Sequence, residues 1–185
     1  MTMDDGSRAR LEAARAGAGW ALAELYHELH PRVLRYLRAM EPSEHEDLAA
    51  DVWLETSHAL QRFEGDEAGL RALAFTIARR RVLDLRRRRA RRATTPVPQE
   101  QLVSTTEAGD AEEEAMAALS TDEALRQILR LPPDQAQVIL LRVIADLAVA
   151  EVASILDKSP GAVRALQHRA VRRLARQTSR EAVTP

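Results

Sequence analysis

The stretch VAEVASILDKSPGAVRALQHRAVRRLAR, Val149–Arg176, decides the fold of the C-terminal half. It opens with a short apolar run over 149–156 that presents Val152, Ile155 and Leu156 at helical spacing. The run stops at Asp157-Lys158-Ser159. Asp157 holds the turn position where glycine is usual, and aspartate tolerates a left-handed backbone better than most residues. A second helix is predicted from Pro160, with Ser159 as N-cap and proline at the first helical position. Its inner face is Val163, Leu166, Ala170 and Leu174, and Ala153 on the first helix is small where the two must approach. The outer face is Arg164, Ala165, His168, Arg169, Arg172 and Arg176. A helical hairpin with a solvated basic face would share these stripes. The turn chemistry, the small residue and the basic run together favour a helix-turn-helix whose second helix enters the major groove of DNA.

Working outward, LPPDQAQVILLRVIADL (Leu131–Leu147) sets Pro132 and Pro133 at a further helix start. Ser120 and Glu123 have capping-box spacing. Before them, residues 93–120 are rich in Pro, Thr, Ser and Glu with little to bury, the composition of a flexible acidic linker. The chain therefore divides into 1–92, a linker over 93–120, and 121–180. No alternating strand pattern occurs in either half. Aromatic residues make up 3 % of the 185, so a core must come from Leu, Val, Ile and Ala, which favours helices. The fold class is all-α: two small helical domains, the C-terminal one a helix-turn-helix.

The N-terminal half concentrates charge. IARRRVLDLRRRRARR, 77–92, holds nine arginines and one acid, Asp84, in a chain of net charge −1. Opposite blocks cancel: 41–67 has nine acids and one arginine, and 93–125 has eight acids and no basic residue. At 100° per residue, Leu70, Ala74, Ile77, Ala78, Val82 and Leu85 share one side of the arginine helix. Arg79, Arg80, Arg86 and Arg87 cluster opposite, a stripe that fits a nucleic-acid backbone, while Arg81 falls on the apolar side and must snorkel. The preceding helix carries Glu44, Asp47, Asp51 and Glu55 at spacings of three and four, an acidic stripe that suits a basic protein partner. Ser43 with Glu46 suggests a capping box at its start, and Pro31 suggests a bend or break in the helix before it.

Several classes are set aside. The chain has no cysteine, which removes disulfides and thiolate metal sites. No apolar run approaches the ~18 residues of a membrane span, and MTMDDGSRAR lacks the apolar stretch of a secretory signal, so no membrane insertion and a cytoplasmic location are expected. HELH at 27–30 and HEDL at 45–48 do not give the histidine pair of a zinc protease. No other acid/base constellation stands out, so neither an enzyme nor a cofactor is expected.

The segments AGAGWALAELYHELHPRVLRYL, EHEDLAADVWL, LQRFEG and LRALAFTIARRRVLDLRRRRARR, in this order, resemble the first conserved domain of extracytoplasmic-function (ECF) sigma factors. LPPDQAQVILLRVIADLAVAEVASILDKSPGAVRALQHRAVRRL resembles their second. The resemblance implies an alternative sigma factor that directs RNA polymerase to promoters. It implies that Asp47, Leu48, Asp51 and Glu55 meet the β′ clamp helices of the polymerase core. Arg79, Arg80, Arg86 and Arg87, with Phe63 near a flipped-out base, would meet the −10 element. Ser159, Arg164, Ala165, His168, Arg169 and Arg172 would meet the −35 element. It also implies a contact to the β flap and an anti-sigma factor. This chain departs from the family pattern at Leu73, Arg80, Asp157, Leu166 and Gln167. The competing reading is a stand-alone helix-turn-helix regulator, which leaves 41–92 unexplained.

Overall fold

The computed structural model describes residues 5–93 and 123–181, and all of its regular structure there is helical. The elements are α1 (Asp5–Arg15), α2 (Gly19–Met40), α3 (His45–Leu60), α4 (Glu67–Ala93), α5 (123–129), α6 (Pro133–Ile139), α7 (Val149–Leu156) and α8 (Pro160–Glu181). A wider π turn, Leu140–Ile144, continues α6. The expected linker and the Ser120 half of its capping pattern lie outside the described residues.

Gly17 ends α1 with φ +83, a conformation that costs glycine little, and α2 starts two residues later. Pro31 does not break α2. Leu25 and Leu29 before it, and Val33 and Leu37 after it, are all buried, so packing on both sides holds the helix continuous. The Ser43–Glu46 box does not form either. The helix starts later, with Glu44 in the cap position and no side-chain cap hydrogen bond, while His45 Nδ1 donates to the Pro42 carbonyl at 2.7 Å.

All six apolar-side residues of α4 named above are buried. Phe75 joins them, edge-on to the fully buried Tyr36 at 5.5 Å between ring centroids. Periodicity on one helix could not reveal that pairing. The C-terminal half follows its sequence closely. Pro132 caps α6 and Pro133 begins it. Asp157 adopts φ 52, ψ 51, the left-handed turn. Lys158 N–H reaches back to Ala153 O at 2.9 Å, and Ala162 N–H donates to Ser159 Oγ at 3.2 Å. That cap contributes ~1 kcal/mol. Val163 and Ala170 are completely buried, with Leu166 and Leu174 packed against the core.

The two halves are not separate bodies. One apolar cluster includes Val33, Tyr36, Phe75 and Ala78 from the first half and Leu140, Leu141, Ile144, Leu147 and Val152 from the second. Helix α4 packs on α7, and α2 packs on the π turn.

Candidate nucleic-acid interface

Arg164, Ala165, His168, Arg169, Arg172 and Arg176 are all exposed along α8. Their helix is fixed from behind by Val163 and Ala170, so side-chain length and charge are presented on a rigid support. No ion pair joins these arginines to an acid among the described residues. Ser159 is exposed at the helix start, where its hydroxyl already serves the cap.

The arginine helix is arranged differently from a bare basic stripe. Arg80 pairs with Glu55. Arg81, instead of snorkelling, lies 3.5 Å from Asp51 and 3.0 Å from Glu55. Arg86 Nε donates to Glu41 at 2.5 Å and its Nη2 to the Met40 carbonyl at 2.8 Å. Arg89 joins the other Glu41 oxygen at 2.5 Å and also reaches Glu44. These carboxylates hold the Arg89 guanidinium above its ordinary pKa, through the hydrogen bond to Glu44 first, with burial opposing. Arg79 is half-buried, its Nε 3.5 Å from Gln137 Oε1 in the other half. Arg87 pairs with Asp84 one turn back at 3.2 Å.

The acidic helix and the arginine helix thus neutralise each other in part. Each pair alone contributes little at such exposure, but together they fix the register of α3 against α4. Arg88 and Arg92 are exposed and carry no ion pair among the described residues. Arg88, Arg89 and Glu41 were not singled out from the sequence. The available signal was that Arg86 and Arg89 stand three residues apart, on one face, and so can share one carboxylate.

Asp47 is exposed and without an ion pair among the described residues, whereas Asp51 and Glu55 are half-buried and paired with Arg80 and Arg81. Leu48 is 4 % exposed and packs in the core, so its contribution to any α3 interface is support from below. Phe63 is half-buried under the Arg15 guanidinium, 5.7 Å from the ring centroid. A Cβ on Gly65 would come within 2.6 Å of that ring, so Gly65 is what lets the loop fold over Phe63. An apolar groove of about 490 Å³ runs beside α3, lined by Leu22, Tyr26, Trp53, Leu54 and Leu60.

On the groove's rim, Trp53 Nε1–H donates to His30 Nδ1 at 2.9 Å, and Tyr26 stacks on the imidazole. Burial, with His27 nearby, pushes the His30 pKa down. The unfolded chain therefore takes up this proton first as pH falls below ~6.5, and stability is lost in that direction. His30→Asn should flatten the fall in urea midpoint between pH 7 and pH 5. An unchanged slope would show that His30 takes no part in it.

Family profiles match both halves: Sigma-70 region 2 over residues 25–92 and Sigma-70 region 4 over residues 121–174. The ECF RNA polymerase sigma factor ShbA of Streptomyces griseus is 35 % identical, over 90 % of this chain and 92 % of its own length. ECF sigma factor SigD of Mycobacterium tuberculosis is 34 % identical, over 94 % of this chain and 85 % of its own. Among solved structures, CnrH in complex with the cytosolic domain of CnrY is similar in fold, with a TM-score of 0.64 at 20 % identity. It covers 96 % of this chain and is itself covered to 99 %. RpoE of Bartonella quintana, in complex with the anti-sigma factor NepR, gives 0.58 at 19 %, over 84 % of this chain and 97 % of its own. With region 2 carrying the arginine helix, region 4 carrying the helix-turn-helix, and relatives matched along nearly their whole length, the chain belongs to the ECF RNA polymerase sigma factors, alternative sigma factors that direct promoter recognition and the start of transcription.

Proposed function

We propose a division of labour within that role. Residues 1–92 meet the polymerase clamp and the −10 element, 121–180 read the −35 element, and 93–120 link them. On α3 the acids offered to the β′ clamp helices are Asp47, Asp51 and Glu55, over Leu48. The −10 face consists of Arg79, Arg80, Arg86 and Arg87, with Phe63 near the opened strand; Arg88 and Arg92 join it in this reading, since no acid pairs with them among the described residues. The C-terminal half would also contact the β flap. The chain would act in the cytoplasm with no chemistry of its own. An anti-sigma factor is a further proposed partner, supported by the likeness of fold to RpoE, which NepR holds.

The observation that carries this reading is the acid-free basic face of α8 behind a left-handed aspartate turn. Arg164 lies near the helix start, the end that enters the groove in this motif. There it can make a bidentate contact to guanine, which discriminates by about 1–3 kcal/mol. Arg172 lies two turns later and meets phosphate, which adds affinity without sequence information. With core polymerase and a panel of single-base −35 variants, Arg164→Ala should relax preference at one base. Arg172→Ala should weaken every sequence alike and lower the salt slope by about one unit. If Arg164→Ala weakens all variants equally, the helix docks otherwise and base reading passes to His168 or Ser159.

A further inference from the structure

We propose that Arg15, at the end of α1, is a positioning residue for the −10 element: it sets the loop over 61–66 so that Phe63 is held ready for one base of the opened strand. This rests on the −10 reading of Phe63 above. It extends the promoter machinery to a helix outside the Sigma-70 region 2 match, which begins at residue 25.

Helix α1 is docked firmly enough to act as a support. Leu11 and Ala14 are buried in one apolar cluster with Leu25, Leu29, Leu60 and Leu70, and Phe63 packs against that cluster. Arg10 Nε donates to Glu67 Oε1 at 2.7 Å and its Nη2 to Glu28 Oε2 at 2.9 Å, so α1 is tied to the start of α4 and to α2. The loop between α3 and α4 is pinned to its own helices at its two ends. Phe63 N–H bonds back to Leu60 O at 3.1 Å, and Asp66 Oδ1 accepts the Gly69 N–H at 2.8 Å. Its middle is pinned to α1: Arg15 Nη2 donates to the Gly65 carbonyl at 2.8 Å, and the same guanidinium lies over the Phe63 ring. Gly65 and Gly69 make room for that ring, since a Cβ on them would come within 2.6 Å and 3.1 Å of its Cζ.

Two acids, Glu64 and Asp66, flank Gly65, yet the guanidinium takes the carbonyl between them. The contact therefore fixes backbone and ring together instead of neutralising a charge. A base taken out of its stack gains by lying on an aromatic face, and gains more when the ring need not be ordered at the moment of binding. Arginine suits this task because its planar fork can lie on a ring and donate to a carbonyl at once, which a lysine ammonium cannot match.

The test uses the full-length chain bound to core polymerase and a pool of short single-stranded DNA randomised over the −10 element. Sequencing the bound strands gives the base preference at each position. Phe63→Ala should flatten the preference at one position. Arg15→Lys keeps the charge and should lower the preference at that same position roughly three- to ten-fold, leaving the other positions as they are. Gly65→Ala leaves α1 untouched and displaces the ring, so it should flatten the same position with Arg15 in place. Circular dichroism should stay helical in all three. If Arg15→Lys retains the preference that Phe63→Ala abolishes, charge alone suffices and the positioning role is overturned. Equal loss at every position in Arg15→Lys overturns it too, since the effect is then a general loosening. Failure of the −10 reading looks different: Phe63→Ala itself alters no position, and the proposal falls with it.

Discussion

Phe75→Ala should cost about 3–5 kcal/mol of folding stability, the usual range for emptying a buried phenylalanine site. Phe75 has no exposed surface and lies edge-on to Tyr36, itself fully enclosed, so the cavity has little freedom to collapse. At this chain length the melting temperature should fall by roughly 10 °C. The site is also the junction of the molecule, since Phe75 belongs to α4 and to the apolar cluster shared by both halves. Tyr36→Phe is the matched control. It removes a buried hydroxyl that has no hydrogen-bond partner among the described residues, so it should leave stability unchanged or slightly raised. A small loss in Phe75→Ala, comparable to a surface substitution, would show that the two rings do not form the hinge of the core.

Glu41→Ala should act in two directions. Glu41 is a buried carboxylate that joins Arg86 and Arg89, and deleting it leaves two guanidiniums without their shared acid. Their side chains remain 44 % and 42 % exposed, so water can take over part of the loss. The cost should be about 2 kcal/mol rather than the ~3–5 of a fully enclosed pair. The freed arginines should also make the chain stickier to random DNA, steepening the salt dependence by up to about two units. Urea titration and non-specific DNA binding at several salt concentrations measure both. Lower stability with unaltered DNA binding would mean that Arg86 and Arg89 serve the fold alone and do not reach phosphate.

These two experiments mark where the sequence was readable. The helix-turn-helix was legible because each of its signals is local: an aspartate that accepts φ 52, a serine one residue before a proline, apolar residues three and four apart. The buried side of α4 was legible for the same reason, residue for residue. The fate of the arginines was not, because charge pairing depends on what another helix brings alongside. Glu55 looked like part of a partner-facing stripe until it met Arg80 and Arg81 across the α3–α4 seam. Leu48 looked like part of the same face, and a helical wheel cannot say which edge of a mixed face turns inward. Pro31 and Ser43 misled for a related reason: both are local signals that packing overrode. The contact of Arg71 with the Asp146 carbonyl links residues 75 positions apart, and no pattern along the chain announces it.

The last buried side chain of α4 is Leu85, yet the helix continues to Ala93. Its final two turns, about 12 Å of backbone, extend past the core. Arg88 faces Arg91 and Arg92 at three and four residues' spacing, and each such like-charge pair opposes the helix by about 0.2–0.5 kcal/mol. The tethers from Arg86 and Arg89 to the α2–α3 corner oppose that repulsion from below. A row of phosphates laid along these turns would cancel it from above. The nucleic acid would then steady the last turns of a helix whose end the core does not hold, and part of the binding free energy would be spent on that ordering.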